Sequence, residues 1–139
     1  MNATAYVDGS YNSTTKTYGW GVIMGIDDNF DDPIRIAGSD CNPELIQHRN
    51  VAGEIMAVFE ALKCARTNRV SHLSIYYDYA GIEKWATREW RAKCKFTQWY
   101  QNQITIAEEY MYIEFHKVEA HSGDKWNEEA DKLAKLACS

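Results

Sequence analysis

Asn50-Val51-Ala52-Gly53-Glu54-Ile55-Met56-Ala57-Val58-Phe59-Glu60-Ala61-Leu62-Lys63-Cys64-Ala65-Arg66 is the stretch at which the chain changes its period. Val51, Ile55, Val58, Phe59 and Leu62 recur three and four residues apart, which is the apolar stripe of an amphipathic helix. The sequence before this stretch alternates instead. Tyr18, Trp20, Val22, Met24 and Ile26 fall at a period of two, as in a strand with one buried face. Upstream, residues 3–7 are a short run of β-formers followed by the turn-like Gly9-Ser10-Tyr11-Asn12. Downstream, Asp27-Asp28-Asn29 reads as a turn, and residues 33–38 give a third strand with Ile34 and Ile36 on one face. Three consecutive strands joined by short turns pair antiparallel. The helix at 50–66 takes the chain out of the all-β class.

Beyond that helix, Leu73-Ser74-Ile75-Tyr76-Tyr77 reads as a fourth strand. Residues 82–90 and 97–109 are helical stretches, and residues 112–118 form an alternating fifth strand. Residues 125–138 close the chain as a helix, with Trp126, Ala130, Leu133 and Ala137 as its packing stripe. The order is βββαβααβα. A strand–helix–strand return to one sheet favours parallel pairing there. The expected architecture is α/β, a five-stranded mixed sheet flanked by helices. No repeat, linker or low-complexity segment divides it, so residues 1–139 are expected to form a single domain.

The bulk numbers narrow the function classes. A chain of 139 residues with 45% hydrophobic and 25% charged residues can bury a core without disulfides or a structural metal. No apolar run is long enough for a membrane helix, and the N-terminus lacks the basic and apolar regions of a signal peptide. The cytoplasm is therefore the expected location. Cys41, Cys64, Cys94 and Cys138 match no zinc spacing, and free thiols are expected. Nothing in the sequence calls for an obligate protein partner. By itself the net charge of −5 argues against nucleic-acid binding, because phosphate contacts need cations. The distribution is uneven, however. Lys84, Arg88, Arg91, Lys93 and Lys95 cluster around a single acid, Glu89, and local fields matter more than the total.

Four carboxylates stand at informative places. Asp8 ends the first strand and Asp78 the fourth, and ligands of open α/β sheets gather at such strand ends. Glu54 sits near the start of the long helix. Asp131 lies on the last helix one turn after Asn127, so those two share a face. Taken singly, each has an ordinary reading. Asp8 before Gly9 suits a turn, Glu54 suits a helix first turn, Asp78 suits an N-cap, and Asp131 suits a solvated surface. Taken together they permit a shared site. Clustered carboxylates are tolerable when a hard divalent cation, Mg²⁺ or Mn²⁺, neutralises them.

The same residues, in order, resemble the type 1 ribonuclease H family. Tyr6-Val7-Asp8-Gly9-Ser10 is similar to its first-strand motif, Asn50-Val51-Ala52-Gly53-Glu54-Ile55 to its helix motif, and Tyr76-Tyr77-Asp78 to its fourth-strand aspartate. Gly81-Ile82-Glu83-Lys84-Trp85 resembles the helix that follows. Val118-Glu119-Ala120-His121-Ser122-Gly123 and Asn127-Glu128-Glu129-Ala130-Asp131 resemble its histidine loop and last aspartate.

The resemblance implies a ribonuclease H-like fold and an endonuclease that hydrolyses the RNA strand of an RNA–DNA hybrid. It implies two Mg²⁺ (or Mn²⁺) ions held by Asp8, Glu54, Asp78 and Asp131, with Asp8 between them. It implies 5′-phosphate and 3′-hydroxyl products, and His121 as the group that assists proton transfer or product release. Family comparison also points to Gly9, Ser10, Asn12 and Asn50 as contacts to 2′-hydroxyls. It places Trp85 along the DNA strand, and Arg88, Arg91, Lys93 and Lys95 on phosphates. The alternative is the same fold kept as a non-cleaving module for hybrid or double-stranded RNA. Four retained acids argue against it, because binding alone gains nothing from them.

Overall fold

Asp27 and Asp28 both adopt left-handed backbone, with φ of 53° and 59°. Two such residues make the tight turn whose twist matches a β-hairpin, and Ile26 pairs with Asn29 directly across it. Around this turn the computed structural model, which describes residues 1–119 and 124–139, builds a sheet. Three long strands come first: β1 (Asn2–Asn12), β2 (Thr17–Ile26) and β3 (Asn29–Asp40). Then follow α1 (Asn50–Thr67), β4 (His72–Tyr77), α2 (Gly81–Ala86), α3 (Lys95–Ala107), β5 (Tyr112–Lys117) and α4 (Lys125–Ala137). The strand order is β3-β2-β1-β4-β5. The first three strands pair antiparallel. The β1–β4 and β4–β5 pairs are parallel, the pairing expected when a helix carries the chain back to the sheet. The α/β mixed sheet and the element order agree with the sequence reading.

Several boundaries differ, for identifiable reasons. β1 runs on through Gly9-Ser10-Tyr11-Asn12, where the sequence suggested a turn. β2 supplies a partner along that whole length, out to Asn12 opposite Thr17. β3 likewise extends well beyond residues 33–38, because β2 pairs with it as far as Asp40. α2 stops at Ala86, four residues short of the expected Trp90. Arg88 has a φ of 66° there, which breaks the helix, and the Trp90 N–H turns back to the Lys84 carbonyl at 2.9 Å. A short 3₁₀ turn at Ile46–His48, absent from the sequence reading, leads into α1.

One face of the sheet carries the main core. Ala3, Ala5 and Val7 of β1 and Leu73, Ile75 and Tyr77 of β4 alternate inward to meet Ile55, Val58 and Leu62 of α1. Tyr100 of α3, fully buried, donates its hydroxyl to the Ile82 carbonyl at 2.7 Å and ties α2 to α3. The other face of β2 receives α4. A side chain at Gly21 would overlap the Ala130 carbonyl, so the absent Cβ is what lets the helix sit on the strand. The cysteines are free, Cys41 exposed and Cys138 buried. Among the described residues no helix is long and apolar enough to cross a membrane.

Candidate active site

The parallel register of β1 and β4 assembles the first half of the site. Tyr6 pairs with Tyr76. Two residues further along each strand come Asp8 and Asp78, so the register carries both to the same end of the sheet and the same face. β4 ends at Tyr77. Asp78 therefore emerges where the strand gives way to a turn, beside a β1 that continues.

α1 supplies the third carboxylate. Its first turns press against β1 at Gly9, where a Cβ would overlap the backbone of Glu54 and Asn50. This close approach requires glycine at that position. It sets Glu54, only 1% exposed, directly beneath the two aspartates. Glu54 Oε1 accepts the Asp78 backbone N–H at 3.1 Å. One oxygen each from Asp8, Glu54 and Asp78 lie within 4.8 Å of one another.

α4 brings the fourth. Asp131 lines the same cavity as Asp8, outside the three-carboxylate group, and its Oδ2 pairs with Lys135 Nζ at 2.9 Å one helical turn on. Asp8, Gly9, Asn50, Asp78, Asn127, Glu128 and Asp131 together line a polar cavity of about 170 Å³.

The electrostatics of this cluster are unfavourable as it stands. Burial, then the charge of Asp78, push the Asp8 carboxyl up to about 8; the Gly9 N–H pulls the other way, and the nearby Asp131 adds a lesser push. Burial and the charges of Asp78 and Asp8 likewise push Glu54 well above the usual carboxylate range. Taking carboxylates out of water and setting them side by side favours the neutral acid. A divalent cation among them reverses that preference. The donor set is all oxygen, which fits a hard ion such as Mg²⁺ or Mn²⁺. Asn127, 4% exposed, adds a further sign of fit. Its Oδ1 is buried and, among the described residues, has no hydrogen-bond partner.

The other residues named from sequence fall into three groups. Gly9 and Asn50 line the cavity, and Ser10 lies next along β1, half-buried. Trp85 packs half-buried against the core and forms an aromatic cluster with Tyr79 and Trp90, ring centroids 5.6 to 6.3 Å apart. Arg91, Lys93 and Lys95 are exposed and, among the described residues, make no ion pair.

Two residues depart from expectation. Asn12 Nδ2 donates to the Cys138 carbonyl at 3.0 Å, and its Oδ1 accepts from the Thr14 and Thr15 amides. Its amide serves the β1–β2 turn and the end of α4 rather than standing free for a 2′-hydroxyl. Arg88 donates to Gln101 Oε1 and Thr105 Oγ1, both at 3.3 Å, and so bridges to α3 instead of presenting a free guanidinium to a phosphate. His121 lies outside the described residues. Sequence reasoning set Asn127 on the face of Asp131 without naming it a site residue, and did not single out Glu128 or Lys135. The signal was present, because Asn127 and Lys135 flank Asp131 at four-residue spacing and so share its face.

Comparison with known proteins identifies the family to which this fold belongs. Ribonuclease H of Syntrophomonas wolfei is 29% identical over 143 residues, covering 95% of this chain and 92% of that protein. Ribonuclease H of Ehrlichia chaffeensis is 29% identical over 142 residues, covering 94% and 90%. In three dimensions the chain is similar to RNase H1 from the archaeon Halobacterium salinarum, with a TM-score of 0.75 at 19% identity over 99% of this chain and 97% of that one. It is also similar to the N-terminal RNase H domain of a Mycobacterium tuberculosis protein, with a TM-score of 0.80 at 16% identity over 99% and 93%. The family model described as RNase H matches residues 1–139, and the chain belongs to the RNase H family.

Proposed function

We propose that this chain is a ribonuclease H that hydrolyses the RNA strand of RNA–DNA hybrids, with two divalent cations held by Asp8, Glu54, Asp78 and Asp131. The observation that carries the reading is the convergence of Asp8, Glu54 and Asp78 within 4.8 Å, at a cavity that Asp131 also lines. In this reading Asp8 would serve both ions, Glu54 and Asp78 would complete the ligand set of one, and Asp131 would serve the other. When bound, the cations supply activation of the attacking water and stabilisation of the leaving 3′-oxygen, giving 5′-phosphate and 3′-hydroxyl ends.

The protein groups hold and orient. Glu54 accepts the Asp78 N–H, which fixes the start of the loop after β4 and hence the direction of the Asp78 carboxylate. Gly9 and Asn50, which line the cavity, and Ser10, next along β1, serve in this reading as the contacts to the 2′-hydroxyls that distinguish RNA from DNA. Trp85, with Tyr79 and Trp90, offers an apolar surface to the DNA strand. Arg91, Lys93 and Lys95 offer cations to phosphates, which position the duplex without reading its sequence. His121 takes the proton-transfer role that the family resemblance implies.

The test is cleavage of an end-labelled RNA–DNA hybrid in Mg²⁺ or Mn²⁺, beside duplex DNA and single-stranded RNA. The hybrid alone is cut, and the products accept ligation as 5′-phosphates. Asp8→Asn keeps the fold and loses cleavage by at least about a hundredfold, since it removes the charge shared by both ligand sets. Binding without cleavage by the wild type at every metal concentration would overturn the enzymatic reading in favour of a binding module.

A further inference from the structure

A second cavity, of about 310 Å³, lies between the stretch that leads into α1 and the start of α3. Glu44, Gln47 and His48 line it from one side, and Cys94, Lys95 and Phe96 from the other. Cys94 is the N-cap of α3, with extended backbone. Its Sγ lies 4.0 Å from His48 Nε2 and 3.3 Å from Thr97 Oγ1. The His48 ring rests 5.3 Å from the ring of buried Phe96. A thiol at a helix N-terminus, an imidazole nitrogen facing it and open space beside both make the setting of an activated sulfur nucleophile.

The electrostatics point the same way. Burial pushes the Cys94 thiol up, but the Thr97 hydroxyl and the Thr97 and Phe96 amides outweigh it and leave the thiol below its ordinary value. Burial lowers His48, so its ring is neutral near pH 7 and free to take a proton. The other cysteines differ. Burial pushes Cys64 up. Cys138 is buried, and its Sγ donates to the Lys135 carbonyl at 3.7 Å. Cys41 is exposed and provides an internal reference. Lys93 and Lys95, both exposed, flank Cys94 in the chain, and cations beside a reacting centre favour an anionic partner.

We infer that Cys94, with His48 as proton acceptor, is a thiol–disulfide exchange site for anionic low-molecular-weight disulfides, and that the adduct, lying between Lys93 and Lys95, obstructs the hybrid. The thiol proton passes to His48 Nε2, and the Cys94 sulfur attacks one sulfur of the disulfide. A new S–S bond joins Cys94 to that half, and the original S–S bond breaks. The other half leaves as a thiolate with the electron pair and takes the proton from His48. Cys94 is oxidised and the departing half reduced, with no further co-reactant. The obstruction rests on the reading of Lys93 and Lys95 as phosphate contacts.

Glutathione disulfide on the full, reduced chain near neutral pH tests it, with the adduct located over time by peptide mass mapping. Cys94 loads at least about tenfold faster than Cys41, because exchange follows the thiolate fraction. His48→Asn slows Cys94 and leaves Cys41 unchanged. The loaded chain shows a KM for hybrid at least about threefold higher, since phosphate contacts are lost. Dithiothreitol restores it, and Cys94→Ser never shows the change. Equal rates at Cys41 and Cys94 overturn the site, a comparison within the wild-type chain that needs no variant to fold. An undiminished Cys94 rate in His48→Asn overturns the proton-acceptor role. Full loading of Cys94 with an unchanged KM overturns the obstruction. If the unloaded chain neither binds nor cuts hybrid, the ribonuclease reading has failed, and the rates at Cys94 and Cys41 still decide the exchange site.

Discussion

The carboxylate of Glu54 accepts the backbone N–H of Asp78 at 3.1 Å. A helix side chain thereby holds the end of the strand next to the one that carries Asp8. Glu54 thus has two functions that mutation can separate, an acceptor for the loop after β4 and a charge in the cation site. Glu54→Gln keeps the size and one acceptor oxygen but removes the charge. The metal-free variant melts at or above the wild-type temperature, since a buried unneutralised acid has been removed. Cleavage of hybrid falls at least about a hundredfold, as expected for loss of a metal ligand. Melting in EDTA beside single-turnover cleavage in Mn²⁺ checks both halves, and a variant that melts well below wild type in EDTA would overturn the first.

Stability should depend on pH in opposite ways with and without metal. In the metal-free protein the Asp8 carboxyl is raised to about 8, above its value in an unfolded chain, and Glu54 is raised in the same direction. Between those values the native state holds protons that the unfolded chain has released. Stability is therefore fully present at low pH and is lost as pH rises through the native value. In EDTA the Tm declines from about pH 5 to about pH 8. Saturating Mg²⁺ binds the ionised form and flattens or reverses the slope. A Tm in EDTA that rises over this range would show that the cluster does not carry the protons assigned to it.

Gly9→Ala is expected to be among the most damaging single-methyl changes in the chain. The new Cβ would overlap the backbone of Glu54 and Asn50. Backbone cannot swing aside as a side chain does, so α1 must lift from β1. Overpacking typically costs about 1–3 kcal/mol. Cleavage should fall by more than the folded fraction accounts for, because Glu54 moves with the helix. Urea melts and activity measured well below the transition separate the two effects.

The basic residues should divide by their bonds rather than by their charge. Arg88 bridges to Gln101 and Thr105, whereas Arg91, Lys93 and Lys95 are exposed. Arg88→Ala lowers stability by about 0.5–1.5 kcal/mol, the usual worth of such hydrogen bonds. Lys93→Ala leaves Tm unchanged, raises KM for hybrid, and lowers the slope of log KM against log salt by about 1. A weaker salt slope in Arg88→Ala than in Lys93→Ala would reverse this assignment.

Periodicity disclosed the element order because it reports which face of each element is buried. Val51, Ile55 and Val58 on α1, and Val22 and Met24 on β2, belong to the one core and obey its geometry. Strand ends were less legible. Gly9-Ser10-Tyr11-Asn12 has turn-like composition, yet it extends β1 because the antiparallel partner continues there. Pairing is a property of two segments, and one segment's sequence does not contain it. The carboxylates were located through their family resemblance, since singly each resembles a cap or a surface charge. What no local pattern could express was the Tyr6–Tyr76 register that sets Asp8 beside Asp78. The occupation of the Arg88 and Asn12 side chains was equally hidden, because their partners lie on other elements. Asn127 shows the opposite case. Its helical spacing from Asp131 was visible, but only the packed structure reveals that its oxygen is left unmet.

β1 lies between β2 and β4 at the middle of the sheet, and this has a consequence for the order in which the molecule is made. During synthesis the β1–β2–β3 meander needs only neighbouring sequence and can pair early. The second edge of β1 waits for residues 72–77, and the α4 wall of the cavity waits for the last stretch to emerge. Domains generally complete as units on the growing chain. A partly made molecule therefore carries Asp8 and Glu54 without the strand end and helix that surround them.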